Sequence, residues 1–499
     1  MAVRNGKKSG IEIVKRFADL GFQLQPEAIE LLSQSEVESR LDVSEMVKGI
    51  TDSLDPSIFV ISTGHIDAYL KNSRIGSKYS QAPVPAPAII KSFTDNRRGV
   101  DHKNFLPHFL DRYERLSKII KQRMNCGQIR FIKSGRRSEE VSVVGMVSSI
   151  NKTARGNLRV ELEDPTGHLM IILQHQEEII PDEIIGVTGS LSDGGFLFAD
   201  RVIHPDVPFP SSTLQSPLPL SFNSNLDYDC SSKEKEEGDE TQRPLYAVFI
   251  SDMHVGSNTF LEDAWGSFVQ WLKDEAQNMG IEYLIVAGDI VDGIGVYPGQ
   301  EEELSIMDIE EQYKTAARYF HDFPSHIHLV VAPGNHDAVR NAEPQPPLPE
   351  DVRKLFPDNT YFVSNPAYIK IGGRLVLIYH GQSYDDFVNT ISRLNYSKPE
   401  EIMAEMLRRR HVAPIYGNIV SIVPDGNDYG VIDPVPDILH CGHAHTVGIS
   451  KYRNVLLINS GTWQAQTPYQ KKRDINPVPG CATLVELSGM KTEVMDFGS

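Results

Sequence analysis

The sequence has few cysteines and no long apolar segment. Its 499 residues include four cysteines, none at the short spacing of a C-x-x-C pair. Free, mostly buried thiols are therefore expected, since a disulfide framework or zinc knuckle would need distant positions. No apolar run approaches the roughly 18 residues that cross a bilayer, and residues 11–20 are amphipathic rather than signal-like. These absences exclude a membrane protein, and we expect a cytoplasmic one.

The sequence also lacks an excess of positive charge. It has 49 Lys and Arg residues against 67 Asp and Glu residues, which gives a formal net charge of −18. This balance argues against a surface that coats a phosphate backbone without specificity, although a local basic patch or a metal site still attracts phosphate. The hydrophobic fraction of 40% is typical of a globular protein. At this length, two to four domains are expected.

The first 124 residues predict two regions. Residues 1–75 carry apolar side chains at helical spacing and predict a small helical domain that serves docking or packing. Residues 76–124 predict a proline-rich linker followed by a basic helical segment. Between Lys91 and Arg137 there are thirteen Lys or Arg residues and four Asp or Glu residues. This stretch is either a solvated helix face or a contact for nucleic acid or an acidic partner.

Residues 125–207 alternate polar and apolar side chains, with turn signals between the apolar segments. Five short strands fit a closed Greek-key barrel of the OB type, and another small barrel or sandwich is the alternative. Aromatic residues are few, so we expect a scaffold first and a binder of single strands second. The predicted strands cover residues 141–150, 158–163, 170–173, 184–191 and 196–202.

The remaining residues predict a linker and a third domain. Residues 208–243 predict an acidic flexible linker, because the segment is densely charged near its end and lacks apolar periodicity. Residues 244–499 alternate strands with helices, which is typical of an α/β sandwich. The predicted fold is therefore multidomain, with a small helical domain and an all-β OB barrel preceding the α/β domain.

Polar side chains follow five predicted strands of the α/β domain. In α/β sheets, ligands bind beyond the carboxyl ends of the strands. Carboxylate, amide and imidazole groups suit divalent ions, and two ions about 3.5–4 Å apart need a shared anionic ligand. Each motif alone is more often a loop cap, but together they indicate a binuclear metal site. They are Asp252-Met253-His254, Gly288-Asp289-Ile290-Val291-Asp292, Gly334-Asn335-His336-Asp337, His380-Gly381 and Gly442-His443-Ala444-His445.

The order of these motifs, D-x-H, G-D-x-x-D, G-N-H-D, H-G and G-H-x-H, resembles the calcineurin-like metallophosphoesterase superfamily across the α/β domain. The resemblance implies two divalent ions bridged by Asp289. It also implies that His336 faces the scissile phosphate as general acid or transition-state stabiliser, oriented by Asp337. The implied ligands are Asp252, His254, Asp289 and His445 for the first ion and Asp289, Asn335, His380 and His443 for the second.

The order of domains resembles the small subunit of the archaeal family D DNA polymerases. Related B-subunits of eukaryotic polymerases have degraded catalytic residues, whereas every position of the metal pattern is intact here. The resemblance therefore implies a 3′→5′ proofreading exonuclease that releases nucleoside 5′-monophosphates, with manganese as the metal and iron, zinc and magnesium as alternatives. The implied partners are the large catalytic polymerase subunit and a single-stranded or frayed 3′ end of DNA, which places the protein at the nucleoid.

Two other functions stay open. One is a catalytically silent scaffold subunit, and the other is a stand-alone metallophosphatase or repair nuclease of the same superfamily. Residues 461–473 also resemble the polymerase subunits and combine aromatic rings with cations, as a surface that binds a nucleotide strand does. Packing plus a solvated basic loop is the alternative for this stretch. The candidate substrate-binding residues are Trp463, Tyr469, Lys471, Lys472 and Arg473.

Overall fold

The structure is a computed structural model, and contacts divide the chain into two units. The first unit comprises Met1–Pro83 with Tyr228–Arg243, and the second comprises Val84–Asp227 with Pro244–Ser499. The described residues are 14–15, 17–18, 22–25, 28, 60–65, 84–94, 102–133, 140–173, 177–209, 244–472 and 475–498. No helix among them is long and apolar enough to cross a membrane.

The first unit contains a short parallel pair of strands, β1 (Gln23–Leu24) and β2 (Val60–Ile61). Phe17 and Ala28, two apolar residues of the predicted helical domain, are buried. Most of that domain, predicted at 1–75, lies outside the described residues. The predicted acidic linker at 208–243 also lies outside them, except for residues 208 and 209. The domain boundaries therefore stay predictions.

The second unit contains a barrel and two larger sheets with their helices. The helices are α1 (Phe105–Lys121), α2 (Ile129–Lys133), α3 (Glu262–Met279), α4 (Ile309–His321), α5 (Glu350–Arg353), α6 (Tyr384–Thr390), α7 (Pro399–Arg409) and α8 (Pro468–Lys472). The strands up to the barrel are β3 (Ala88–Ser92), β4 (Glu140–Lys152), β5 (Leu158–Asp164), β6 (Gly167–Leu173), β7 (Ile184–Leu191) and β8 (Leu197–Ile203). The later strands are β9 (Tyr246–Ile250), β10 (Ile281–Ala287), β11 (His328–Ala332), β12 (Thr360–Phe362), β13 (Ala367–Ile371), β14 (Arg374–Ile378), β15 (Ile438–Cys441), β16 (Val447–Tyr452), β17 (Val455–Ser460), β18 (Cys481–Glu486) and β19 (Lys491–Asp496).

The α/β part is a sandwich of two six-stranded sheets, with strand orders β12-β11-β10-β9-β18-β19 and β16-β17-β15-β14-β13-β3. In the first sheet β9 to β12 run parallel, and in the second β14, β15 and β17 run parallel. Alternate residues of one strand enter different cores: Val248 packs with α3 and α4, whereas Phe249 packs against the second sheet. Strands buried on both faces need continuous apolar runs, which explains the pattern of β9 and β10.

Helices cover the outer faces of both sheets. Trp265 and Phe268 of α3 are buried on the first sheet, and Phe387 of α6 and Met403 of α7 are buried on the second. The layers are therefore helix, sheet, sheet and helix, so the predicted α/β sandwich is confirmed.

Strand β3 lies inside the region predicted as linker and basic helical segment. It pairs antiparallel with β13 and forms one edge of the second sheet, while residues 84–87 precede it without helix or strand. The sequence did not predict this strand, because prolines at alternate positions before Ala88 indicate a linker and because the partner strand is distant in sequence. Helix α1 follows at the position where helical periodicity was expected, with Tyr113, Leu116 and Ile120 buried.

A closed five-stranded barrel forms from β4 to β8, in the order β4-β5-β6-β8-β7. All five predicted strands are present, and β7 has the predicted bounds. Neighbours are antiparallel except β6 and β8, which run parallel. Inward residues such as Val160, Ile171 and Val187 fill the interior. The assignment of this barrel to the OB type stays a prediction.

Buried ion pairs hold the barrel and α1 against the sandwich. The carboxylate of Asp428 lies 2.6 Å from Arg112 Nε, 2.9 Å from His411 Nε2 and 3.4 Å from His108 Nε2. Arg409, at the end of α7, lies 3.0 Å from Glu183 beside the barrel. Because both arginines are fully buried and paired, they serve the packing of the unit rather than a nucleic-acid surface.

Candidate metal centre

The site forms where strands from both sheets end on one side of the sandwich. Asp252 and His254 follow β9, Asp289 follows β10, and the G-N-H-D motif follows β11 in the first sheet. His380 follows β14, and the G-H-x-H motif follows β15 in the second sheet. Since these strands end toward the same edge, the side chains of five loops converge on one cleft.

The backbone of these loops is unusual at the predicted ligands. Asp252, His254, Asp289, His443 and His445 all have positive φ, between 51° and 65°. Non-glycine residues adopt this region at a cost, and such residues are concentrated at functional sites.

Glycines beside the ligands permit a close approach of the loops. A Cβ atom on Gly334 would lie 2.2 Å from Oδ1 of Asp289, and one on Gly442 would lie 2.3 Å from Oδ2 of Asp252. Any other residue at either position would displace a carboxylate of the site. Glycine is therefore required at these positions of the G-N-H-D and G-H-x-H motifs, because there is no room for a side chain.

Asp252, His254 and His445 form the first donor cluster. Nε2 of His445 lies 3.0 Å from Nε2 of His254 and 3.3 Å from Oδ1 of Asp252, and Nε2 of His254 lies 3.8 Å from the same oxygen. Ligand atoms bound at about 2.0–2.2 Å to one ion are about 3 Å apart. All three side chains are buried, so their donors have little access to water.

Asp289, Asn335, His380 and His443 form the second donor cluster. Nε2 of His380 lies 3.2 Å from Oδ2 of Asp289 and 2.9 Å from Oδ1 of Asn335, while Nδ1 of His443 lies 3.1 Å from that amide oxygen. Oδ2 of Asp289 is also 3.8 Å from Nε2 of His254 in the first cluster. Asp289 thus lies between the clusters, where a bridging ligand is needed.

The charge balance of the two clusters favours bound cations. Burial raises the pKa of Asp289, but nearby His380 and His336 outweigh it and hold that pKa below its ordinary value. Burial lowers the pKa of His254, yet the adjoining Asp252 and Asp292 raise it to about 10. Positive charge beside the ionised carboxylates therefore stabilises them. The donor set also fits divalent ions bound by imidazole and carboxylate.

His336 lies at the edge of the clusters, with its side chain 15% exposed in the cleft. Its backbone N–H donates to Oδ1 of Asp289 over 2.8 Å, and its ring Nδ1 lies 2.7 Å from the carbonyl oxygen of Asp292. The ring is therefore fixed through one nitrogen, and Nε2 is the nitrogen left for a substrate.

Asp337 has contacts that differ from the predicted ones. Its carboxylate accepts hydrogen bonds from the Gly334 amide at 2.8 Å and from the Tyr313 hydroxyl at 3.0 Å. Burial and the nearby Asp289 raise its pKa to about 6. Asp337 therefore holds the G-N-H-D loop in shape, while the Asp292 carbonyl orients His336. Sequence adjacency suggested the wrong partner because neighbouring side chains in this loop diverge.

Asp292 and Gln470 contact ligand histidines and were not predicted. Oδ1 of Asp292 lies 2.9 Å from Nδ1 of His254, and Nε2 of Gln470 lies 2.8 Å from Nδ1 of His445. Such partners fix the ring of a ligand and leave its other nitrogen facing the site. The second aspartate of G-D-x-x-D was a usable signal for Asp292, whereas Gln470 lies in residues 461–473, which were expected to contact a nucleotide strand.

The substrate-binding prediction was wrong for Trp463. This side chain is fully buried, with ring centroids 4.9 Å from Trp265 and 5.0 Å from Phe268 of α3. It extends the core beneath α3 because its backbone is hydrogen-bonded to Asp252 and Leu261, in the segment between β9 and α3. Lys471 and Lys472 are exposed on α8. The side chain of Tyr469 and all of Arg473 lie outside the described residues.

The metal-donor clusters open into a cleft of about 490 Å³. Its floor includes His254, Asp289, His336, His443 and His445. Two tyrosines, Tyr297 and Tyr396, also line it. A cleft of this size accepts a small organic group.

Comparison with known proteins finds a family model, curated relatives and solved structures that resemble this chain. The family model for the B subunit of DNA polymerases alpha and epsilon matches residues 247–447. The DNA polymerase II small subunit of Archaeoglobus fulgidus is 40% identical, covering 97% of this chain and 98% of the relative. That of Methanothermobacter thermautotrophicus is 35% identical, covering 97% and 99%. A solved structure of a novel archaeal phosphodiesterase is 11% identical, covers 50% of this chain and 99% of its own, and has a TM-score of 0.27.

Proposed function

The chain belongs to the family of archaeal DNA polymerase II small subunits, and we propose that its metal centre is a 3′→5′ exonuclease site. As a small subunit it has a large catalytic subunit as its partner. Family membership is equally compatible with a silent scaffold, so the proposal depends on the chemistry of the site.

The observation that carries the proposal is the completeness of the donor set. Seven side chains from five loops form a continuous set, in which each carries a donor atom 2.9–3.8 Å from a donor atom of a neighbouring member. A scaffold needs no such convergence, and buried carboxylates without a function are costly. The seven are Asp252, His254, Asp289, Asn335, His380, His443 and His445.

Two divalent ions, manganese in our proposal, would be held by these residues. When bound, they supply a nucleophile from water at neutral pH and neutralise charge on the phosphoryl oxygens. Zinc, iron and magnesium bind to overlapping sets of ligands, so metal analysis rather than the geometry of the site identifies the bound ions.

The protein's own residues bind the terminal phosphodiester and move one proton. The bond between phosphorus and the 3′ oxygen of the penultimate nucleotide breaks as water adds to phosphorus. His336 in its imidazolium form, with Nδ1–H donating to the Asp292 carbonyl, gives the proton on Nε2 to the departing 3′ oxygen, and the proton that the attacking water releases restores the imidazolium. The products are a shortened strand with a 3′ hydroxyl and a nucleoside 5′-monophosphate.

An assay of the purified complex of small and large subunits with Mn²⁺ tests this proposal. The substrates are a single strand, a duplex with a mismatched 3′ end, a matched duplex and p-nitrophenyl phosphate. We expect monophosphate release fastest from the unpaired ends, because a paired terminus must first be separated. Activity that is confined to p-nitrophenyl phosphate supports a phosphatase instead. A complex that binds no metal and degrades nothing supports the scaffold.

A further inference from the structure

None of the described residues that line the cleft is a lysine or an arginine. The lining residues with imidazole or carboxylate groups are the histidines of the metal centre and Asp289, Asp292 and Asp385. The cleft itself therefore offers little direct attraction for a sugar-phosphate backbone beyond the ions and His336. Within the cleft, attraction for a strand end has to come from groups other than lysine and arginine side chains.

Tyr297 forms one aromatic wall and is held next to His336. The two ring centroids are 6.4 Å apart at an interplanar angle of 62°. The phenolic hydroxyl donates to Oε2 of Glu303 over 3.0 Å. Fully buried Gln300 anchors this loop, since its amide donates to Asp292 and its carbonyl accepts from the backbone N–H of Val296.

Tyr396 forms a second aromatic wall on the side of His443. Its hydroxyl donates to Oδ1 of Asp385 over 2.6 Å, and the same oxygen lies 3.7 Å from Nε2 of His443. Part of its ring packs on the core formed with α6 and α7. Both tyrosines are only partly buried, so each has surface that a ligand in the cleft can contact.

Resting on the exonuclease function proposed above, we propose that Tyr297 and Tyr396 bind the base of the terminal nucleotide by stacking. Every base presents a π face, so stacking tolerates any sequence, as removal of successive nucleotides requires. The rings are already held by their hydroxyl groups, so little conformational entropy is lost when a base binds. The base then lies beside the residues that contact its phosphate.

Binding of two oligonucleotides to the full-length chain tests the inference without hydrolysis. One single strand ends in a normal 3′ nucleotide and the other in an abasic 3′ nucleotide, and affinity is measured by fluorescence anisotropy with Ca²⁺ in place of Mn²⁺. Wild-type protein should prefer the normal end. Tyr297→Ala and Tyr396→Ala should each weaken binding of the normal end by roughly 5- to 100-fold and leave the abasic end unchanged.

Two variants serve as matched controls. Tyr297→Phe keeps the ring and should keep the preference for the normal end. Phe198→Ala removes an aromatic side chain that is 51% exposed on the barrel and does not line the cleft, and it should change nothing. An equal loss for both ends in the tyrosine variants would overturn the inference, as would a preference that depends on Phe198.

The outcome is separable from that of the proposed function. Loss of the preference in the tyrosine variants supports stacking even if the complex shows no hydrolysis with Mn²⁺, which would contradict only the exonuclease. Efficient hydrolysis by a wild-type protein whose tyrosine variants keep the preference would contradict only the stacking.

Discussion

Nε2 of His254 and Nε2 of His445 lie 3.0 Å apart, although the residues are 191 positions apart in sequence. Two imidazole nitrogens this close share either a proton or a cation, and Asp252 beside them favours positive charge. Metal analysis of purified variants shows whether a substitution removes one bound ion or both. We expect two bound ions in the wild type, one in His445→Ala, and none in Asp289→Ala, whose carboxylate lies between the clusters.

His321→Ala is the control for these measurements, because this exposed histidine lies on α4, outside the clusters. It should retain both ions. Full metal content in Asp289→Ala would show that Asp289 does not bridge and would remove the basis of the binuclear site.

His336→Ala should separate metal binding from catalysis. The side chain is not part of either four-residue ligand set, so both ions should remain bound. Exonuclease turnover by the complex should fall by about 10²- to 10⁴-fold, the usual contribution of a positioned proton donor. Mass spectrometry for metal and a rapid-quench assay for kcat give the two readouts. Lost metal with retained turnover would reverse the assignment of His336.

Trp463→Ala tests the corrected role of a residue predicted to bind substrate. Removing a fully buried indole from the core beneath α3 should lower the free energy of unfolding by about 3–5 kcal/mol. Trp463→Phe should cost less, because it leaves a smaller cavity. Urea denaturation measures both. Unchanged stability together with weaker DNA binding would restore the original prediction.

The sequence predicted which side chains converge at the candidate metal centre, but not all of their surroundings. Asp289 and His443 were predictable because parallel strands place their carboxyl ends at one edge, whatever the details of packing. Trp463 was not, since a tryptophan after a strand gives the same signal whether it faces a cleft or a core. Tyr297 and Gln470 lie in segments without clear periodicity, where only tertiary contacts decide direction.

The same limit applies to the fold. The barrel strands followed from period-two alternation, and β7 was predicted to the residue. Strand β3 was missed because its pairing with β13 spans most of the chain, and local composition indicated a linker. Long-range pairing leaves little trace in a single sequence.

The pH dependence of stability should reveal the buried cluster around Asp428. Burial lowers the pKa of His411 to about 4; Asp428 opposes the shift, while Arg112 and His108 add to it. Unfolded chains bind a proton at this histidine near pH 6.5, but the folded protein does not. Stability is therefore full above pH 6.5 and falls as the pH drops toward 4, by up to about 3 kcal/mol.

His411→Asn isolates this contribution, because asparagine does not titrate and other groups keep their own dependence. Denaturation of both proteins between about pH 4.5 and 7.5 gives the comparison. The variant should show a shallower loss of stability on acidification. Parallel curves would mean that His411 does not cause the decline.

The left-handed backbone at five proposed ligand positions lowers the stability of the fold at the same residues that are proposed to bind metal. Each such residue costs roughly 1–2 kcal/mol that a glycine would not. Selection for heat-resistant variants is therefore expected to enrich glycines at these five positions, and such variants would lose donors of the proposed metal centre.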